Sequence, residues 1–553
     1  MKNFKRFTAA IAATLMAASL SIPMAMNVSA ATTENPITIT ITPVGNGTHT
    51  YTAYPIFKGT AKTDGTILES PTWANSEKAK DLVDAMLANT TLCPKNESGE
   101  YAEDSLGALL TAANTAIVPD AAAVAKALKS VNSNTPQADA LAKVIASEPT
   151  LVGTAVTTTN NVISITQDGY YVITDTLTAE DKTNTVVSSY ILKVAGNENL
   201  EIDAKAALPS VDKQIQDEND DAEAGATDGW GETADHAIGE VHSFKLIATI
   251  PKNANFTNYT SYKLVFHDTM STGLTFDDLT SVKVKYGTAE ATTISDGYTK
   301  SEIGEDNSWT LTIDDIISKL SDGQTFGEEN IVVEVEYTAH LNENATSYDA
   351  NSTTANAGDN NNKVYLEYSN NPNAEGLGKT TEDYVYDYCY TVKNIKKKNS
   401  TDGDVLAGAT FNLMSGETAI TFKWNSTKNA YVPATGEGAS ANIVSQADGT
   451  FNIIGLDAGT YTLKETVAPE GYNLATDTTV TISATHVENE GTPTMTLNDT
   501  CAGMNNTIVD TSGSSLPSTG GMGTTLFYLG GGAMVAVAGI VLITKKRMNK
   551  NAE

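Results

Sequence analysis

The sequence predicts a mainly β protein of tandem sandwich domains, three in number, the first carrying a helical insertion and the last followed by a transmembrane helix. Three observations carry this reading. From residue 160 onward Thr, Val, Ile and Tyr recur in alternating runs, the period-2 pattern of strands with one buried face. The 553 residues, less their terminal signals, amount to about three domains of ordinary size. The chain has 3 cysteines, too few for a disulfide framework in an exported protein, so packed cores must hold the fold.

The elements follow in order. Lys2, Lys5 and Arg6 precede an apolar run from Phe7 to Leu20, and Val28-Ser29-Ala30 supplies small residues for cleavage, so residues 1–30 read as a secretory signal peptide. Ile37 to Thr42 (ITITIT) and Tyr51 to Lys58 read as strands. Between Ser76 and Ser147 the alanine-rich stretches DLVDAMLANT and AAAVAKALKS read as short helices. Strands return at Val162 to Ile165, Tyr170 to Thr174 and Val186 to Val194, which closes a first domain over 31–205. The second, 206–382, opens on LPSVDK (Leu208 to Lys213) and crosses the acidic stretch DENDDAEAGATDGWGETADHA, read as a surface loop. Its strands are Val241 to Ile250, Tyr262 to Phe266 and Ile331 to Ala339, and it closes on NNKVYLEYSNNP, Asn361 to Pro372. The third, 383–512, holds LAGATF (Leu406 to Phe411), YTLKETVAPEGY (Tyr461 to Tyr472) and a last strand through Ile508 and Asp510.

The end of the chain has three parts within residues 513–553: Leu516-Pro517-Ser518-Thr519-Gly520, an uncharged run from Leu526 to Thr544, and the basic tail Lys545, Lys546, Arg547 and Lys550. About 19 apolar residues at ~1.5 Å each reach roughly 28 Å, enough to span a bilayer, and the basic tail keeps that end in the cytoplasm. Without residues 1–30 and 520–553 the chain keeps 28 of its 35 basic and 66 of its 67 acidic residues, a net charge of −38. Such a charge repels nucleic acid and anionic lipid, so neither is an expected partner. The 6 histidines are scattered without ligand spacing, and no nucleophile elbow or phosphate loop occurs, so the sequence offers no metal, no cofactor and no conventional enzyme.

The pentapeptide, apolar span and basic tail in this order resemble the cell-wall sorting signal of Gram-positive surface proteins. That resemblance implies attack by a sortase cysteine on the carbonyl of Thr519, with Gly520 onward leaving and an amine resolving the acyl-enzyme. YTLKETVAPEGY and LAGATF resemble collagen-adhesin B-type domains, which are Ig-like sandwiches. LPSVDKQI, FHDTMSTGLTF and NKVYLEYSNNP resemble the middle domain of sortase-assembled major pilins. The resemblance covers nearly the whole chain and implies a backbone pilus subunit on the cell wall. Its implied partners are pilus-specific and housekeeping sortases, identical subunits, minor tip and base pilins, peptidoglycan, and host proteins or glycans met in adhesion. A monomeric wall-anchored adhesin is the rival reading, since sorting signals and B-type domains occur there too.

The family implies isopeptide bonds between a lysine and an asparagine or aspartate, assisted by a nearby acid. In the third domain the implied lysine is Lys397, placed on one face with Ile395; the acid is Glu465, in phase with Tyr461 and Leu463; the partner is Asp510 or Asn506. In the second domain Lys213 is the lysine, Asp268 the acid, and Asn362 or Asn370 the asparagine. Glu465 has its own physical signal, because a carboxylate inside an apolar alternation needs a reason. In the first domain Gly169 to Asp175 echoes the glutamate box, yet its last strand has no matching asparagine, so Asp175 reads as a hydrogen-bonded relic. The polymerising amine is Lys205 by position, eight residues before Lys213, or Lys95 by its local Pro-Lys-Asn sequence. Parallel first and last strands in the third domain, which the family implies, would bring Cys389 toward Cys501; a disulfide there is left open.

Overall fold

A computed structural model describes residues 36–513, apart from 63–66, 133–134, 197, 218–228, 352–359 and 488–493. The signal peptide and the sorting signal from Leu516 onward, including the apolar span, lie outside the described residues; among those described, no helix is long and apolar enough to cross a membrane.

The ITITIT segment forms the strand Ile37–Thr42, antiparallel to Val162–Ile165 and parallel to Leu200–Asp203. Facing it is a second sheet built on the long pair Thr48–Ala61 and Gly169–Thr178. Ile39, Ile41, Tyr51, Ala53 and Ile173 fill the space between the two. Four helices, Ala79–Ala88, Leu106–Ala113, Ala121–Leu128 and Pro136–Ser147, pack on the second sheet through Leu82, Val83, Met86, Leu110 and Ile145. The starts of the last three carry the capping chemistry that short helices need. Ser105 accepts from the Ala108 N–H, Asp120 from those of Ala122 and Ala123, and Thr135 from that of Ala138 just before Pro136. The expected strand over Val186 to Val194 forms only from Ile191 to Ala195. Ahead of it, the Ser188 N–H donates to Asp175 instead of to a ladder.

The middle of the chain is a sandwich of two larger sheets. One has the order Trp230–Gly231, Ser210–Gln216, Val241–Ile250, Ile331–Leu341, Leu274–Tyr286, Thr292–Thr293. The other runs Thr233–Asp235, Asp383–Tyr388, Asn361–Ser369, Leu264–Met270, Ser308–Ile313, Thr299–Lys300. Strict alternation in Val241–Ile250 and Ile331–Leu341 sends Phe244, Leu246, Ala248, Val333, Val335 and Tyr337 inward. The acidic stretch expected to be a surface loop departs from that reading at its end. Thr233, Ala234 and Asp235 are all buried and pair in parallel with Tyr386–Tyr388. Parallel pairing needs no local sequence signal, which is why composition alone suggested solvent.

The chain crosses to its last sandwich at Cys389. Asp383–Tyr388 belongs to the middle sheet, and Tyr390–Lys398 enters the next one, six residues past the expected border at 382. That sheet has the order Phe422–Asn425, Ala430–Pro433, Asn452–Leu456, Tyr390–Lys398, Asn505–Asp510. The partner sheet holds Thr418–Ala419, Thr410–Ser415, Gly459–Val467 and Thr478–Ile482. First and last strands pair in parallel, Lys396 opposite Ile508 and Lys398 opposite Asp510. Phe411 and Phe451 stack at 4.2 Å in the core between the sheets.

Candidate functional site

Two lysines are sealed from solvent, and each meets carboxylates. In the middle sandwich Lys213 comes from Ser210–Gln216, while Asp268 and Asn362 come from the opposite sheet, where Met270 pairs Asn362 and Asp268 pairs Val364. Lys213, Asn362 and Asp268 are 0%, 0% and 1% exposed. The Lys213 ammonium contacts Asp268 Oδ2 and donates to the Tyr337 hydroxyl at 2.9 Å. That hydroxyl donates to Asp268 Oδ2 at 3.1 Å and accepts from the Asn362 amide at 2.6 Å. Trp309 Nε1 donates to Asp268 Oδ1 at 3.2 Å, and the Asn362 carbonyl oxygen has no hydrogen-bond partner among the described residues. Burial lowers the Lys213 pKa, with Asp268 opposing, and raises that of Asp268, with Lys213 opposing. Both shifts run toward a neutral amine beside a neutral acid.

The second expected asparagine, Asn370, is elsewhere. Its amide donates to Thr185 of the first domain at 3.2 Å, and its backbone oxygen accepts from Val187. Tyr337, which sequence reasoning missed, joins lysine, acid and asparagine through one hydroxyl. Its only signal was a phenol in a strictly alternating apolar strand.

In the last sandwich the expected lysine was one residue out. Lys396, not Lys397, is fully buried; its ammonium lies 3.0 Å from Glu465 Oε2 and contacts Asp510 Oδ1. Lys397 is half-buried on the opposite side of the strand. The error came from treating Ile395 as a core residue. The strand turns Val392, Asn394 and Lys396 inward and leaves Ile395 half-buried on the other face. Asn394 occupies a core position because its amide is satisfied by the Phe451 carbonyl and its oxygen by Asn506.

Glu465 reaches across from the facing sheet, where it pairs opposite Phe411. Its Oε2 accepts from the Ala475 N–H at 2.6 Å, while its Oε1 and Asp510 Oδ2 have no hydrogen-bond partner among the described residues. Burial raises the Glu465 pKa; the Ala475 N–H and Lys396 oppose this, and Asp510 adds to it. Asn506 is spent on Asn394 and the Gly503 carbonyl and does not reach the lysine, so the structure brings Asp510 to the site.

The remaining expected residues are placed as follows. Asp175 is buried, 3.0 Å from His49 Nδ1, and accepts from Ser188 N–H at 2.8 Å, with no lysine paired to it among the described residues. Lys205 is half-buried where the first domain meets the second, its N–H on Ser188 Oγ. Burial lowers its pKa, with Asp139 opposing. Lys95 is exposed, its ammonium 4.9 Å from the Tyr101 ring. All three cysteines are free. Cys389 faces the Thr346 carbonyl and Cys501 that of Ser483, so the open question of a disulfide between them resolves against the bond.

The histidines, scattered in sequence, are not all scattered in space. His236 and His242 converge on Asp387, with one ligand-capable atom from each within 4.8 Å of the others. Sequence spacing does not show this meeting, because the carboxylate comes from a strand about 150 residues away, paired in parallel beside Thr233–Asp235.

Comparison with known proteins gives the class of protein. Residues 238–372 match the family model for Gram-positive pilin backbone subunit 2, a Cna-B-like domain. Residues 392–500 match a SpaA prealbumin-like fold domain, and residues 508–551 match the LPXTG cell wall anchor motif. The full-length major pilin SpaD from Corynebacterium diphtheriae is 17% identical over 88% of this chain and 99% of its own, with a TM-score of 0.41. A backbone pilin of Streptococcus pyogenes is 16% identical over 88% of this chain and 100% of its own, TM-score 0.46. A C-terminal fragment of a major pilin of Streptococcus agalactiae is 23% identical over 50% of this chain and 92% of its own, TM-score 0.36. No curated protein sequence matches the chain significantly. At these structural values the assignment rests on the three family matches. They define a surface protein built for attachment to the Gram-positive cell wall, with sortase and peptidoglycan as its general partners. Residues 238–372 are a Gram-positive pilin backbone domain, and with the wall-anchor motif they make the chain a structural, sortase-polymerised subunit of a wall-anchored pilus.

Proposed function

We propose that this pilin stiffens itself by two self-formed isopeptide bonds, Lys213 to Asn362 and Lys396 to Asp510, and is polymerised from Thr519 onto Lys205 of the next subunit. The observation that carries the first part is the pair of fully buried lysines, each against a buried carboxylate and beside a second carbonyl-bearing side chain. An isolated buried ammonium is costly by several kcal/mol, and an amide is neutral. In the middle domain Lys213 Nζ attacks Asn362 Cγ, Asp268 shuttles the proton, the Cγ–Nδ2 bond breaks and ammonia leaves. In the last domain Lys396 Nζ attacks Cγ of the Asp510 carboxyl group, Glu465 shuttles the proton, the bond from Cγ to one carboxyl oxygen breaks and water leaves. That step also removes a buried oxygen, since Asp510 holds one with no hydrogen-bond partner among the described residues. Holding amine and carbonyl in place supplies much of the rate.

In this reading the domains are 31–205, 206–388 and 389–512, and the chain performs no turnover chemistry. Pilus-specific sortases join identical subunits and minor tip and base pilins. A housekeeping sortase transfers the fibre to peptidoglycan, and the fibre supports adhesion to host proteins or glycans. Intact mass tests the proposal: the mature chain should weigh one ammonia plus one water less than its sequence, and the full sequence mass would overturn it.

A further inference from the structure

Lys205 is half-buried at the border of the first and middle domains, and its backbone is held on both sides. Its N–H donates to Ser188 Oγ at 2.9 Å, and its carbonyl accepts from the Ser189 N–H at 3.0 Å. Ser188 and Ser189 are 1% and 2% exposed. A regular strand pair would meet the Lys205 N–H with a backbone carbonyl. Here a side-chain hydroxyl takes that place, and its own proton is donated to the Ser189 carbonyl at 2.9 Å.

A buried carboxylate sets that hydroxyl. Asp175 Oδ2 accepts from the Ser188 N–H at 2.8 Å, which draws residue 188 out of the ladder that begins only at Ile191. Asp175 lies on Gly169–Thr178 and is 5% exposed, with His49 Nδ1 3.0 Å from both of its oxygens. Burying a carboxylate to hold one N–H is costly where a strand ladder would satisfy the same group with a neutral carbonyl. What the arrangement provides is a fixed Ser188. The middle domain holds the same segment from its other side. The Asn370 carbonyl accepts from the Val187 N–H at 2.7 Å, and the Asn373 amide donates to the Ser188 carbonyl at 3.1 Å. The neighbours of Lys205 are tied as well: the Ala204 N–H donates to the Thr42 carbonyl at 2.9 Å, and the Ala206 carbonyl accepts from the Asn253 amide at 3.1 Å.

We propose that Ser188, set in place by Asp175, is the positioning residue of the polymerisation acceptor: it fixes the backbone from which the Lys205 amine projects toward the acyl-enzyme. The inference rests on the reading of Lys205 as that acceptor. In the step it serves, Lys205 Nζ attacks the Thr519 carbonyl carbon, the C–N bond forms, the C–S bond to the sortase cysteine breaks, and the amine's proton passes to the departing thiolate. A residue between two domains ordinarily stands on a flexible linker, whose freedom must be frozen before its amine can attack. With residues 204–206 already clamped, only side-chain torsions remain to be ordered, and the gain from proximity is larger. Asp175, which has no lysine to assist, acts here through Ser188.

The test uses the full mature chain in detergent, carrying Thr519→Ala so that it can only accept. The cognate pilus sortase and a fluorescent peptide containing Leu-Pro-Ser-Thr-Gly supply the acyl group. Ser188→Ala should lower kcat for labelling at least about tenfold and leave the acceptor KM within about twofold. Asp175→Ala should act alike, and Asp175→Asn, which keeps an oxygen for the Ser188 N–H, should lose several-fold less. A role in stability alone would lower the melting temperature and leave kcat of the native protein unchanged, and that result would overturn the proposal. Lys205→Arg separates the two readings. Labelling that survives it removes Lys205 as acceptor and the positioning with it; labelling lost there but with unchanged kcat in Ser188→Ala overturns the positioning alone. Should Ser188→Ala fail to fold, amide hydrogen exchange of the unmodified chain decides: a Lys205 N–H as protected as the strand amides supports the proposal, and one exchanging like an open linker overturns it.

Discussion

Lys396 Nζ lies 3.0 Å from Glu465 Oε2 with both side chains closed to solvent, while Lys397, the next residue, is half-buried on the other side of the strand. One residue of strand phase thus separates a reacting group from a bystander, and this gives a sharp test. Glu465→Ala and Lys396→Ala should each leave the last domain uncrosslinked, so that the one-water deficit from the variant's own sequence mass disappears, and Lys397→Ala should keep that deficit. The bond closes a loop of 114 residues. Such a constraint is worth about 4–5 kcal/mol if it behaves as a disulfide does. The melting temperature of that domain should fall on the order of 10–20 °C, read by calorimetry.

In the middle domain the choice between two asparagines is decided by mass. Asn362→Ala should abolish the one-ammonia deficit from the variant's own sequence mass, and Tyr337→Phe should slow the appearance of that deficit. Asn370→Ala should still cross-link, because its amide contacts Thr185 and not the lysine. Peptide mapping of the Asn370→Ala protein should recover Lys213 joined to Asn362.

Polymerisation is read on boiled cell-wall extracts as a high-mass ladder. Lys205→Arg keeps the charge and removes the nucleophile, so the ladder should collapse to monomer while export continues. Burial favours the neutral form of Lys205, the form that attacks an acyl-enzyme. A persistent ladder would move the acceptor to exposed Lys95.

The thiols should report their surroundings. Desolvation pushes the Cys93 pKa up to about 11 and that of Cys389 up to about 12. At neutral pH both therefore stay protonated and inert. Native protein should take one label, at half-exposed Cys501, and protein unfolded without reductant should take three. Two fewer in the second experiment would show a disulfide.

Much of this protein was legible from its residues in order. The Leu516-Pro517-Ser518-Thr519-Gly520 signal, the alternating strands and the helical insertion are local patterns, because strand period and apolar run length are properties of consecutive residues. Glu465 was legible too, since a carboxylate in an apolar alternation breaks its own pattern. Tertiary structure alone decided the rest. A run of three lysines carries no phase, and only the pairing of Tyr390–Lys398 against Asn452–Leu456 and Asn505–Asp510 turned Lys396 inward and Ile395 aside. Asn362 and Asn370 share one strand face, and which of them meets Lys213 depended on the opposite sheet placing Tyr337 beside Asn362. His236 and His242 met Asp387 because a parallel pairing joins segments about 150 residues apart. Such a contact is fixed by packing and leaves no periodic trace in the chain.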